Sequence, residues 1–270
     1  MSAAVARLLD RLCIDDPHFV EIESKRRVLP EKAKDLRDFL GRHKRVRHLK
    51  AVTFFDQFLD TPGMALFRRG ASLRVRYKGN GSRVYLQYKG PGFRRRGLLY
   101  RSEFSTARLR HLVLEESHHD IVHFNEQTVQ KLLCEHLPSE MARAMRRHLG
   151  ERVLRRISQG PIICLYQKNK YSVDLGRAKL EPSLDQVFTF HVNKAGLHPL
   201  SSFCEYENEV KAKDENLETK LDCLPELIKF DAMLARRFKL PYERFDKYHR
   251  CGSFFMPNGH FRAHARARKK

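Results

Sequence analysis

The chain has 270 residues, 53 Lys and Arg against 32 Asp and Glu for a formal charge of +21, and 41% hydrophobic residues. That apolar content excludes a disordered chain, the length allows one large domain or two small ones, and apolar runs as short as 162–166 exclude a membrane-spanning helix, which needs about 20 residues. The charge points to anionic partners, and six cysteines scattered without a CxxC pair exclude a zinc ribbon or a redox dithiol.

Residues 1–15 form an N-terminal segment in which Arg7, Asp10 and Arg11 interrupt the apolar stretch that a signal peptide needs, so a cytoplasmic protein with free thiols is expected. The main domain spans 16–250. Residues 18–26, 50–59, 72–78, 83–89 and 98–104 alternate with period two between Gly, Pro and Asn breaks and predict antiparallel strands, with KGNGS at 78–82 as a hairpin turn. Leu36, Phe39 and Leu40 behind Pro30 predict a helix over 30–47. From 105 to 157 the period changes to three or four, with Leu109, Leu112, Val113, Val129, Leu132 and Leu133 marking a helical insert. Strands resume at 161–175, 179–190 and 203–211, a last helix is expected over 217–238, and 251–270 reads as a basic, disordered tail.

Alternate residues of a strand share a face. Glu21, Glu23 and Lys25 therefore lie opposite Val20 and Ile22, Arg74 and Arg76 opposite Leu73, Val75 and Tyr77, and Lys89 opposite Val84, Leu86 and Tyr88. Arg101 joins Glu103, Lys168 joins Lys170, and Glu205, Glu207 and Glu209 stand in a row. For any single strand, a charged face turned to water is the simpler reading. Taken together the strands sort by sign, some acidic and others basic. A barrel with its charged face inward would then hold hard-cation ligands on one wall and phosphate binders on the others, an arrangement suited to a metal-bound polyphosphate.

Glu21-Ile-Glu23-Ser-Lys25 is an ExExK signature, and 53–77 (TFFDQFLDTPGMALFRRGASLRVRY) resembles the FDTP…GxxLRxR segment of the CYTH family, the triphosphate tunnel metalloenzymes. YLQYKGP (85–91), RSEF (101–104), the basic strand 166–171, SLDQV (183–187) and EYENEV (205–210) follow in family order, so the resemblance covers about 18–211. It implies an α+β fold: an antiparallel eight-stranded β-tunnel with a charged interior and helices packed outside. It also implies that Glu21, Glu23, Glu207 and Glu209, with Glu205 and Asp185, hold Mg²⁺ or Mn²⁺. Lys25, Arg74, Arg76, Lys89, Arg101, Lys168 and Lys170 would bind phosphate oxygens, and Glu21, Glu23 and Lys25 would carry catalysis. The implied activity is hydrolysis of the terminal phosphate of a small triphosphate, inorganic triphosphate first. A class IV adenylate cyclase, a nucleotide or RNA 5′-triphosphatase, and a polyphosphate-binding module without turnover stay open; FDKYHR (245–250) resembles the ending of related polyphosphate polymerase domains.

The sequence departs from the family pattern at several points. Either Asp56 or Asp60 can stand for the family's aspartate, and the DTP match favours Asp60. Lys168 and Lys170 replace arginines and lose the bidentate fork. Pro182 leaves the direction of Asp185 open. Outside the tunnel, His118, His119, Asp120 and His123 read as a solvated turn rather than a metal site, and Arg94–Arg96 as a hairpin end or a steering patch. Arg262, Arg266, Arg268, Lys269 and Lys270 read as an inert tail, with weak contact with nucleic acid or an anionic surface as the alternative.

Overall fold

A computed structural model describes residues 2–79, 83–110, 124–193 and 196–255. The alternating segments form nine antiparallel strands: β1 (Val20–Val28), β2 (Arg47–Asp60), β3 (Ser72–Lys78), β4 (Arg83–Lys89), β5 (Phe93–Arg95), β6 (Leu98–Ser105), β7 (Ser158–Asp174), β8 (Ala178–Asn193) and β9 (Gly196–Ala212). They follow the order β1-β9-β8-β7-β2-β3-β4-β6, and β6 pairs back onto β1 to close an eight-stranded ring. The short β5 hangs on β6 outside that circuit. Closure leaves the eight strands without free edges.

Parity separates two layers. Val20 and Ile22 of β1, Leu73, Val75 and Tyr77 of β3, and Val84, Leu86 and Tyr88 of β4 turn outward into the main apolar core, while the charged residues between them turn into the ring. Helices α1 (Ala3–Leu12), α2 (Pro30–Arg42), α3 (Ala65–Arg68), α4 (Glu126–His136), α5 (Ser139–Leu149), α6 (Glu151–Leu154), α7 (Leu217–Asp222), α8 (Leu224–Phe238) and α9 (Lys247–Phe255) complete the described fold. None of these helices is long and apolar enough to cross a membrane.

The boundaries differ from expectation in four places. Helix α1 lies in the unassigned segment 1–15, where Val5, Leu8, Leu9 and Leu12 form one buried face. The helix expected over 30–47 stops at Arg42, because His43 is already extended and β2 begins at Arg47. The helix expected over 217–238 is cut at Cys223, since Pro225 has no N–H with which to continue the ladder and suits the first turn of α8. The chain is still helical at 251–255, where composition predicts a tail. Cys251 and Gly252 are buried there, and a Cβ on Gly252 would meet the Phe67 ring at 2.1 Å.

Helix α9 explains a second apolar cluster. Phe54, Phe58, Tyr166 and Val187 have the inward parity of their strands, and they gather Phe67, Phe203, Tyr248 and Cys251 around α9. Tyr248 stacks on Phe58 at 4.5 Å between centroids, and its hydroxyl donates to Asp60 at 2.8 Å. Asp60 also accepts the N–H groups of Thr61, Leu66 and Phe67, so the DTP segment serves to hold the loop and α3. The histidine-bearing turn at 118–123 and the basic residues beyond 255 lie outside the described residues.

Candidate active site in a charged tunnel

The inward faces enclose a cavity of about 390 Å³ lined by Glu21, Glu23, Lys25, Arg74, Arg76, Lys89, Arg101, Lys168, Lys170, Glu207 and Glu209. Register brings these together in complementary pairs. Glu21 stands opposite Arg101, Lys25 opposite Glu207, Lys168 opposite Asp185, and Asp56 opposite Arg76. Such cross-strand neighbours sit close enough for direct charge contact.

On the first wall, Arg101 donates to Glu21 Oε2 at 2.6 Å and to Glu23 Oε1 at 2.7 Å, while Lys89 donates to Glu21 at 2.8 and 2.9 Å. Burial alone would raise Glu21, but Arg101 and Lys89 outweigh it and hold the carboxyl well below the usual range. Burial and the neighbouring Glu21 charge push Glu23 the other way, upward. Burial, partly offset by Lys211 and reinforced by Glu21 and Glu103, pushes Glu209 up to about 7.

The second group lies where β8 and β9 face α9. Lys247 Nζ reaches Asp185 at 2.7 Å, Glu205 at 2.5 Å and Glu207 at 2.8 Å. Lys25 pairs with Glu207 and lies 3.5 Å from Glu205; Lys168 reaches Glu207 at 2.6 Å and Asp185 at 3.4 Å. Burial disfavours the Lys247 ammonium, yet the three carboxylates hold its pKa well above the ordinary lysine value. The same balance lowers Glu207 well below a normal carboxylate. Strand β8 runs unbroken through Pro182, and Asp185, fully buried, faces inward.

The third wall is basic. Asp56 accepts two hydrogen bonds from Arg76, each 2.8 Å, and pairs with Arg74 at 2.9 Å. Arg76 also donates to the Tyr166 hydroxyl, and Arg74 to Gln87 at 3.0 Å. Asp56, rather than Asp60, is thus the segment's carboxylate inside the tunnel. Lys170 has no carboxylate within 4 Å among the described residues; burial and then Lys168 depress its pKa. Arg94 donates to the carbonyls of Glu243 and Arg244, which ties β5 to the approach of α9.

The expected metal set divides into two. Glu21 and Glu209 join Glu103, while Asp185 and Glu205 join Glu207, and in each trio three carboxylate oxygens lie within 4.8 Å of one another. Both oxygens of Asp185 and of Glu205 are buried without hydrogen bonds and are neutralised by ion pairs alone. All six donors are hard carboxylate oxygens, so a divalent cation such as Mg²⁺ or Mn²⁺ fits. Glu23 stands apart from both trios, bound to Arg101.

Strand parity does not reveal Asp246 and Lys247, which enter where α9 begins; Lys211 and Glu181 share the inward parity of Glu209 and Asp185 but belong to no motif. Glu103 was visible as the same-face neighbour of Arg101 but carries no signature of its own. The FDKYHR stretch is the sequence trace of α9, and only its fold places Lys247 among the acids.

The profile of the CYTH domain matches residues 20–238. Among solved structures, a putative adenylyl cyclase from Hippeastrum, described as having a dominant triphosphatase activity, is 18% identical, with a TM-score of 0.53 over 86% of this chain and 95% of that one. A putative adenylate cyclase from Bacillus halodurans is also 18% identical, with a TM-score of 0.44 over 85% and 96% of the two chains. No curated protein matches the chain in sequence.

Proposed function

The chain belongs to the CYTH domain family, and from that premise we propose that it is a metal-dependent triphosphatase that removes the terminal phosphate of inorganic triphosphate. The observation that supports this reading is the convergence of Arg74, Arg76, Lys89, Lys168 and Lys170 with Glu21, Glu103, Glu207 and Glu209 on one cavity of about 390 Å³, with Asp185 and Glu205 buried beside Glu207. A triphosphate carries roughly four negative charges near neutral pH, so holding it away from water takes several fixed cations. Glu21 and Glu209 with Glu103, and Glu207 with Glu205 and Asp185, would hold Mg²⁺ or Mn²⁺, while Glu23 is kept outside both trios by Arg101. The ion would supply charge neutralisation and polarise a phosphoryl oxygen.

The chain's own residues do the positioning. Lys25 stays charged, because Glu205 and Glu207 outweigh the effect of its burial, so it acts as a fixed cation rather than a base. Arg76, oriented by Asp56 through Nε and Nη2 and by the Tyr166 hydroxyl, presents its remaining Nη1 to a phosphate oxygen. In a loose phosphoryl-transfer transition state, such preset charges provide most of the stabilisation. Glu21, kept ionised by Arg101 and Lys89, and Glu23 orient the water on the acidic side.

The test is phosphate release from tripolyphosphate by the purified chain with Mg²⁺ or Mn²⁺, beside Glu23→Ala and with ATP in parallel. Metal-dependent release that disappears in the variant and is faster with tripolyphosphate than with ATP is expected. Pyrophosphate and cyclic AMP from ATP would replace this reading with a cyclase, and tight tripolyphosphate binding without release would replace it with a binding module.

A further inference from the structure

The turn that opens α9 sends each side chain to a different part of the ring, and two of them form a relay to the ExExK strand. His249 is buried, its ring stacked 4.8 Å above that of Phe67. Its Nε2 lies 2.9 Å from the Phe67 carbonyl and its Nδ1 lies 2.7 Å from Asp246 Oδ1. A carbonyl only accepts, so Nε2 must carry a proton; a carboxylate only accepts, so Nδ1 must carry one too. The other Asp246 oxygen takes Arg101 Nη1 at 3.0 Å, and the two remaining arms of Arg101 are the ones that hold Glu21 and Glu23.

We propose that His249 is a positioning residue: as a buried imidazolium between the Phe67 carbonyl and Asp246, it fixes Asp246 as the third anchor of Arg101 and so sets the guanidinium between Glu21 and Glu23. The groups facing the imidazole are Asp246 at the start of its own helix, the Phe67 carbonyl of α3, and Arg101 of β6 behind Asp246. Burial and Arg101 disfavour the cation, Asp246 and Phe67 favour it, and the second pair prevails. Asp246 is correspondingly held well below its usual value, its burial outweighed by His249 and Arg101. The lock is therefore complete below the ordinary imidazole value of about 6.5, persists above it, and opens as pH rises through the elevated value. Its effect on turnover rests on the triphosphatase reading; the protonation state does not.

The direct test is nitrogen-15 spectroscopy of the histidine side chains in the full-length protein at about pH 7, a little above the free imidazole value. Two protonated ring nitrogens on His249 are expected, and an unprotonated nitrogen would overturn the proposal. The functional arm compares the pH dependence of kcat/KM for tripolyphosphate in the wild type, His249→Gln and Asp246→Asn. An alkaline limb is expected in the wild type and should be absent from both variants, with KM raised about tenfold and kcat changed less than about twofold, the size of one charge-assisted hydrogen bond. Superimposable profiles, or a loss confined to kcat, would refute the relay. If the chain releases no phosphate, the triphosphatase reading fails separately. Tripolyphosphate affinity measured calorimetrically across the same pH range then decides the relay.

Discussion

Replacing Lys247 with Met tests how the acidic wall is held. The ammonium is 6% exposed and meets three carboxylates within 2.8 Å, so its removal leaves one buried negative charge without a counterpart. Breaking a buried pair from one side costs about 3–5 kcal/mol. Here every carboxylate keeps a second cation: Lys168 for Asp185, Lys25 for Glu205, and both for Glu207. The cost is therefore set at the lower end, about 3 kcal/mol, or about 6–12 °C in Tm for a domain of this size. The surplus carboxylate will take up a proton in the folded state, so the gap to the wild type should widen from pH 5 to pH 8. A divalent cation should recover more of the variant's Tm than of the wild type's, because it replaces the missing charge. Differential scanning calorimetry at both pH values, with and without Mn²⁺, measures all three effects. A loss below about 2 °C, independent of pH and metal, would show that Lys247 is not part of the acid network.

Glu209→Gln should raise Tm by several degrees at pH 8 and by much less at pH 5, since a carboxyl pushed up to about 7 by burial destabilises the fold progressively as pH rises above its ordinary value; thermal melts across that range check the sign. Asp56→Asn leaves Arg74 and Arg76 without their shared counter-ion and should cost about 3–5 kcal/mol, part of which tripolyphosphate restores by supplying negative charge, as a thermal shift would show. Cys13, Cys134 and Cys223 should react quickly with a thiol reagent, whereas buried Cys164, Cys204 and Cys251 should react only on denaturation; six fast thiols in the native protein would contradict the docking of α9.

The ring was legible because its inner and outer faces differ so sharply in chemistry. With Val20 and Ile22 on one side and Glu21, Glu23 and Lys25 on the other, each strand announces its own orientation. Eight expected strands became the eight strands of the ring. Parity was less informative along β2, where Phe54, Asp56 and Phe58 share the inward face, because the ring is apolar at one end and charged in the middle. Asp60 illustrates the limit of motif matching: the DTP letters are present, but its oxygens are taken by backbone N–H groups and Tyr248. Lys247, Asp246 and His249 could not be placed from spacing at all. A helix that fills a ring contacts several strands at once, and no periodicity in its own residues records which ones.

The closed ring also sets an order of assembly. Strand β1, near residue 20, pairs with β9 near residue 210 as well as with β6, and the backbone of Lys25 and Arg26 is finished by Glu243 and Tyr242. A chain emerging from the ribosome therefore exposes one flank of β1 until the residues of β9 have been made, and contacts so distant along the chain favour slow folding, in milliseconds to seconds. The lysine that neutralises Asp185, Glu205 and Glu207 arrives later still. Until then, Lys25 and Lys168 leave one of the three negative charges on a half-built wall without a counterpart, so the nascent protein is most open to misassembly and to chaperone capture just before α9 docks.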